Sequence, residues 1–229
     1  MLGSHGHTDW FDLSDFVVHF TKGGDGPGYS TVMSILGQRR LVRGPSPYGA
    51  ARDVPEVADT QRVVCFSEVP LGFLDRIAER RRSKFGLAFR KRFLLDRGRA
   101  PIWYLEHDTP QQAAFARAIR DARRKGVDPV DPIWALTPFV DFPSGPSSPY
   151  TYDFRWEREW RVAADVAFRE EDVAFLFIPE NSHEIARSFF RDAVEENVGP
   201  GYFCPYVDPS WSIERVRDVL RLDRSSGCP

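Results

Sequence analysis

The chain has 229 residues with 31 basic and 33 acidic side chains, which gives a formal net charge of −2. This balance excludes a global basic field that would by itself indicate nucleic-acid binding. No apolar stretch approaches the ~18 residues that a membrane helix needs, and the first residues are not basic and then apolar as in a signal peptide. We therefore expect a cytoplasmic protein without a membrane span.

Three cysteines, Cys65, Cys204 and Cys228, are far apart and form no CxxC pair. This spacing is typical of neither a disulfide framework nor a zinc site, so no metal is expected. The sequence also contains no GxxxxGK[ST], HExxH or GxSxG motif. The glycine-rich run at 23–28 has no nucleotide-binding spacing, and Pro27 lacks the N–H that a phosphate cradle would use.

The first half of the chain alternates short apolar runs with loops. Residues 16–20 (FVVHF) predict a buried strand, and 29–36 a short helix that Gly37 ends. The long segment 43–61 is predicted to be irregular and exposed. A second strand is predicted at 62–67 and a helix at 71–82, followed by strands at 85–89 and 102–105 that form a hairpin or lie side by side.

The second half contains the clearest helix, 109–125, with Thr109 as cap, Pro110 in the first turn and Gly126 after its end. Strands are predicted at 159–166 and 173–178, and helices from 181 or 182 to about 196 and at 213–221. Strands and helices mix without strict βαβ alternation, and no linker is evident. We therefore predict one α+β domain over 1–229.

Two short motifs near strand ends are candidate binding elements. His19 and Thr21 alternate along a strand and so point to one face, where they are able to hydrogen-bond a ribose or an amide. The alternative is a histidine that completes the core. Ser67 ends the second strand with its hydroxyl available to a cleft, or else serves only as a capping serine.

A third motif, Trp156–Arg161 (WEREWR), opens a late strand. Alternation would place Glu157, Glu159 and Arg161 on one face. Two neighbouring carboxylates raise each other's pKa, so they are able to divide acid–base and ribose-binding roles. A charged edge strand with ion pairs is the alternative.

In this order, His-x-Thr, a strand ending in Phe-Ser and Glu-x-Glu resemble the ADP-ribosyltransferase superfamily. The resemblance is closest to the abortive-infection AbiGi-type family, through HFTK, SILGQRRL, VCFSEVPLGFL, FGLAFRK, APIWYLE and EREWRV, which together span roughly 17–179. More loosely, HFT at 19–21 together with the IL-x-x-x-x-L pattern at 35–41 is similar to the first segments of DarT-type DNA-modifying toxins. The resemblance implies an ADP-ribosyltransferase-like split antiparallel or mixed β-sheet core flanked by helices, with NAD as substrate.

The resemblance also implies roles for the first two motifs. His19 would contact the nicotinamide-side ribose or the amide of NAD, and Thr21 would support the same end. Ser67 would orient His19 or the glutamate.

In the third motif, Glu159 would hydrogen-bond the ribose and stabilise the oxocarbenium-like transition state as nicotinamide leaves. Glu157 would position or deprotonate the acceptor. A cation clamp for the pyrophosphate is expected from the early loop, where Arg40, Arg43 and Arg52 are the candidates.

The acceptor stays open between nucleic acid and protein, because Phe66-Ser67-Glu68 replaces the Ser-Thr-Ser of arginine-modifying transferases. Two further hypotheses compete with a toxin or phage-defence enzyme. One is an inactive protein of the same fold that binds a cognate toxin, antitoxin or phage component. The other is a nucleic-acid-binding module that uses the basic segment 76–99, for which a solvated helix face is the simpler interpretation.

Overall fold

A computed structural model of the chain describes residues 14–21, 25–68, 70–97, 99–143 and 155–222. The helices are α1 Asp25–Gln38, α2 Leu74–Arg81, α3 Lys91–Leu95, α4 Pro110–Arg124, α5 Pro132–Leu136, α6 His183–Glu195 and α7 Ile213–Val219. The strands are β1 Phe16–Phe20, β2 Arg40–Leu41, β3 Val64–Glu68, β4 Gly86–Arg90, β5 Ala100–Pro101, β6 Trp103–Tyr104, β7 Val140–Asp141, β8 Glu159–Val162, β9 Val166–Ala167, β10 Val173–Phe177 and β11 Tyr206–Val207.

The fold is mixed α+β, with mostly antiparallel β-sheet flanked by helices. Contacts divide the chain into two compact units. The first comprises the described parts of Met1–Arg40, Phe66–Arg97 and Ala167–Pro229, and the second those of Leu41–Cys65 and Gly98–Val166. Each unit is assembled from separate stretches of chain, so the single domain over 1–229 stays a prediction.

The first unit is built on the strand order β11-β10-β4-β1-β3. β4 pairs antiparallel with both β1 and β10, while β10 and β11 run parallel because α6 connects them as a crossover. Phe16 and Val18 of β1 and Phe175 and Phe177 of β10 belong to one buried cluster, which includes Leu74 of α2. Alternating apolar side chains of β1 and β10 thus form the core of this unit.

The second unit has its own core, made of Ala51, Val54, Val57, Ile119 of α4 and Trp134 of α5. The first three of these residues lie in the segment 43–61, so the prediction that this segment is exposed is wrong. Its apolar residues are too widely spaced for a regular element, yet they are buried because the segment packs on two helices. The strand order in this unit, to which the first two residues of β3 belong, is β3-β8-β5.

Local signals predicted several elements correctly. The α4 helix begins after Thr109, whose Oγ1 accepts a hydrogen bond from the N–H of Gln112 at 3.3 Å, and Gly126 follows at a φ of 93°.

The predicted pairing of 85–89 with 102–105 is wrong. β4 pairs with β1 and β10, whereas β6 pairs in parallel with β7. Among the described residues, no helix is both long enough and apolar enough to cross a bilayer.

Gly49 is the position where the second unit depends most clearly on glycine. Its φ is 82°, and an added Cβ would lie 2.1 Å from the carbonyl oxygen of Thr137. We expect Gly49→Ala to lower the free energy of unfolding by about 1–3 kcal/mol, because both the backbone conformation and the contact oppose a side chain. Denaturant unfolding followed by circular dichroism measures the loss.

Gly37 is the matched control, since an alanine Cβ there, near the end of α1, meets nothing within 4 Å. Gly37→Ala is expected to stabilise the chain by about 0.5–1 kcal/mol through helix propensity. Equal effects of the two substitutions would contradict this account of Gly49.

Candidate functional site

Among the described residues of the second unit, a dense polar arrangement surrounds Arg161, a β8 residue with no exposed surface. Its Nε donates to Oε1 of Glu159 at 2.9 Å, and its Nη2 donates to Oε2 of Glu159 at 3.1 Å and to Oδ2 of Asp141 at 3.0 Å. Its Nη1 donates to the carbonyl of Pro138 at 2.9 Å. The guanidinium therefore binds two carboxylates at once, and these residues define the Arg161 cluster.

The strands explain why these groups meet. Residues two apart on a strand share a face, so Glu159 and Arg161 project together from β8. Parallel pairing of β6 and β7 sets Tyr104 opposite Asp141. The Tyr104 hydroxyl donates to Oε2 of Glu159 at 3.3 Å. Three strands thus contribute to the cluster: β6 supplies Tyr104, β7 supplies Asp141, and β8 supplies Glu159 and Arg161.

Arg52 extends the cluster toward solvent. Its Nη1 lies 3.1 Å from Oδ1 of Asp141, and its side chain is 39% exposed whereas that of Asp141 is 1% exposed. The guanidinium carbon of Arg161 also lies 5.2 Å from the ring centroid of Tyr48. Arg52 is therefore the half-exposed cation at the edge of the cluster.

The charges of the cluster support one another. Burial alone would lower the pKa of the Arg161 guanidinium, but the charge and hydrogen bonds of Glu159 and the charge of Asp141 raise it above its ordinary value. Burial and then the Glu159 charge also raise the pKa of the Tyr104 hydroxyl. Tyr104 therefore stays protonated and acts as a hydrogen-bond donor to the carboxylate.

Arg43, a predicted pyrophosphate ligand, contacts two carboxylates outside the Arg161 cluster. Its Nη1 lies 3.4 Å from Oδ2 of Asp59, its Nε lies 3.6 Å from Oδ1 of Asp165, and its N–H donates to Asp165 at 2.9 Å. These contacts hold the chain where β2 leaves for the 43–61 segment. Of the three arginines predicted as candidates for a pyrophosphate clamp, Arg52 contacts the Arg161 cluster, and Arg43 is engaged with two other carboxylates. Arg40 is an exposed residue of β2.

The prediction that Glu157 shares a strand face with Glu159 and Arg161 is wrong. Arg155–Glu157 forms a 3-10 turn, and Arg158 has a φ of 44°, so the extended backbone starts only at Glu159. Glu157 is nevertheless buried, with 2% of its surface exposed. The alternation failed here because a positive φ breaks the two-residue period that the pattern assumes.

His19 and Ser67, both of the first unit, lie on opposite faces of the sheet. Ser67 pairs with Val18, whereas His19 pairs with Leu87, and side chains of directly paired residues share a face. The Ser67 hydroxyl accepts a hydrogen bond from Nη2 of Arg81 at 3.0 Å. Ser67 therefore does not share a sheet face with His19, and the alternative that it orients the glutamate stays a prediction.

The ring of His19 packs edge-on against Phe66, with 5.8 Å between the ring centroids. Thr21, beyond the end of β1, is 3% exposed, and its hydroxyl lies 3.1 Å from the carbonyl oxygen of Gly28 and 3.3 Å from that of Phe85. Those contacts anchor the start of α1 to β4. In this conformation Thr21 fixes local structure, while half-buried His19 is the more accessible of the two.

Asp141 and Tyr104 belong to the Arg161 cluster but were not predicted as site residues. Neither stands in a recognisable motif, because each reaches the Arg161 cluster through the parallel pairing of two-residue strands. The one available signal was Arg161 itself, which ends WEREWR two residues after Glu159 in an otherwise apolar strand, since a buried guanidinium requires carboxylate partners.

Comparison with known proteins identifies no matching family, no similar curated protein and no similar solved structure. Among the described residues, no three or more His, Cys, Asp or Glu side chains are grouped to hold a metal ion.

The Arg161 cluster predicts a large difference between two arginine substitutions of the second unit. Arg161→Gln leaves Glu159 and Asp141 buried without their guanidinium, so we expect the free energy of unfolding to fall by about 3–5 kcal/mol. Chemical denaturation of the purified variants gives this value.

Arg155→Gln is the matched control, because Arg155 pairs with Glu106 where both side chains are about half exposed. An exposed pair contributes about 1 kcal/mol or less, so this variant should unfold close to wild type. A loss for Arg161→Gln as small as that for Arg155→Gln would show that the buried pairing is not what stabilises the unit.

Proposed function

We propose that this chain is an NAD-dependent ADP-ribosyltransferase with an ADP-ribosyltransferase-like fold, acting as a toxin or phage-defence effector on a nucleic-acid or protein acceptor. The observation that carries the proposal is the fixed carboxylate of Glu159 at the start of β8, held by Arg161 and Tyr104. A carboxylate held before the reaction stabilises developing positive charge without the cost of reorganisation.

The proposed reaction breaks the glycosidic bond between the ribose and nicotinamide, and the bonding electron pair leaves with nicotinamide. Positive charge develops on the ribose, where Glu159 stabilises it. The acceptor then supplies the electron pair of the new bond to the anomeric carbon and gives up its proton to Glu157, the proposed base. Arg52 is the proposed cation for the pyrophosphate of NAD, because part of its guanidinium-bearing side chain reaches solvent.

His19 is the proposed contact for the nicotinamide end of the substrate, and its half-buried ring is compatible with that role. Thr21 and Ser67 are assigned supporting roles only, since their hydroxyls are engaged with Gly28, Phe85 and Arg81. Glu157 is proposed to assist the acceptor from outside the strand.

A second candidate function has an observation of its own. Both oxygens of Glu159 already accept hydrogen bonds, and only 6% of the residue is exposed. This is the arrangement of a carboxylate that stabilises a fold, as in an inactive protein that binds a cognate toxin, antitoxin or phage component. The two candidates differ in NAD turnover.

Nicotinamide release from NAD, measured with cell extract as a source of acceptors, tests the proposal. We expect release by the wild-type chain and a loss of about a hundredfold or more in Glu159→Gln, since the substitution removes the stabilising charge. Tyr104→Phe should lose less, about tenfold, because it removes one hydrogen bond to Glu159 and leaves the charge.

The control is Glu106→Gln, the same chemical change at a half-exposed glutamate of the same unit. It should release nicotinamide at the wild-type rate. Circular dichroism and the unfolding midpoint of each variant separate a chemical loss from unfolding. A folded wild-type chain that neither releases nicotinamide nor binds NAD by calorimetry contradicts the enzyme and favours the inactive partner.

A further inference from the structure

The α4 helix has two sharply different faces. Phe115, Ile119 and Ala122 recur at helical spacing and pack into the core of the second unit with Trp134. The large apolar residues of α4, Phe115 and Ile119, therefore both pack into the interior of the second unit.

The opposite face of α4 is cationic. With 3.6 residues per turn, Arg117, Arg120 and Arg124 fall within an arc of about 60° on the side away from the core. Arg123 and Lys125 flank this arc, and all five side chains are exposed. The three central arginines span about 10 Å along the helix axis. We call these five residues the α4 cationic face.

This face carries charge that the helix does not neutralise. The same segment contains one acidic residue, Asp121, which lies 3.6 Å from Arg124. Within the part of the chain that the structure describes, no ion pair involves Arg117, Arg120, Arg123 or Lys125.

Arg120 shows that the arrangement costs stability. The residues three before it, three after it and four after it are Arg117, Arg123 and Arg124. Like charges at these helical spacings destabilise a helix. The attraction of cations to the carboxyl end of a helix explains Arg123, Arg124 and Lys125, but it falls off within the last turn and does not reach Arg117 or Arg120. A polyanion bound along the face would remove the repulsion.

We propose that the α4 cationic face binds the phosphate backbone of a nucleic acid. The arginines are closely spaced along the axis of α4, as phosphates are along a nucleic-acid strand that carries one charge per ~3.4 Å. Their guanidinium groups also donate well to phosphate oxygens. A membrane surface fits less well, because an interfacial helix needs an apolar face to insert and that of α4 is buried in the core. The proposal concerns binding alone and does not depend on NAD turnover.

The local charge of α4 reconciles this proposal with a chain of net charge −2. Electrostatic attraction acts over roughly one Debye length, about 8 Å at physiological salt, so a cluster of five cations is effective where the global charge is not.

The test measures binding of fluorescein-labelled single-stranded RNA, single-stranded DNA and duplex DNA by anisotropy at several salt concentrations. The full chain is compared with the triple variant Arg117→Gln, Arg120→Gln, Arg124→Gln and with Arg120→Gln alone. We expect wild-type binding that weakens with salt, and a triple variant that binds about tenfold or more weakly, with a salt slope reduced by about 2 for single strands. Both variants should unfold at or slightly above the wild-type temperature, since like-charge repulsion is relieved.

The control is Arg76→Gln, Arg80→Gln, Arg92→Gln, which removes the same charge from exposed positions of α2 and α3 in the rival basic segment 76–99. It should bind as wild type. The proposal is overturned if this control loses binding as much as the α4 variant, if the folded α4 variant binds normally, or if the wild-type chain binds no nucleic acid. Binding to phosphatidylserine vesicles or to an acidic peptide without nucleic-acid binding overturns it as well.

Discussion

The guanidinium of Arg161 lies in the interior of the second unit, where leaving it unpaired would be costly. Glu159 and Asp141 meet this requirement from β8 and β7, and the carbonyl of Pro138 accepts a fourth hydrogen bond. Glu159 lies on the same strand as Arg161, whereas Asp141 and Pro138 come from one earlier stretch of chain, so the pairing fixes where β7 lies relative to β8. The two-residue strands β6 and β7 form too few backbone hydrogen bonds to specify such an arrangement alone.

The same requirement bears on function. A carboxylate that a buried arginine holds is rigid and charged, which suits stabilisation of a cationic transition state. It is also what a purely structural ion pair requires, so the two candidate functions share the position of this carboxylate and differ in NAD turnover. Tyr104 adds to the first interpretation, since its hydroxyl donates to the same carboxylate, and half-exposed Arg52 supplies a cation at the edge. NAD turnover separates the two functions.

The α4 helix has an inner face that packs into the core and an outer face that carries exposed arginines. Its inner face is optimised for the core through Phe115 and Ile119, whereas Arg120 on its outer face accepts like-charge neighbours that reduce helix stability. Functional surfaces are places where local stability rules are broken in this way. A balanced global charge conceals such a surface, because it averages over both units.

The sequence by itself determined the elements whose signals are local: the buried strand 16–20, the capped helix after Thr109, the strand at 173–178 and the helix after Ser212. Caps and hydrophobic periods act within a few residues, so one chain is enough to reveal them. Only the tertiary structure decided strand partners and faces. It placed His19 and Ser67 on opposite faces, removed Glu157 from the strand and brought Asp141 to Arg161. These outcomes depend on backbone pairing between distant segments and on a single positive φ at Arg158, for which no local pattern carries a signal.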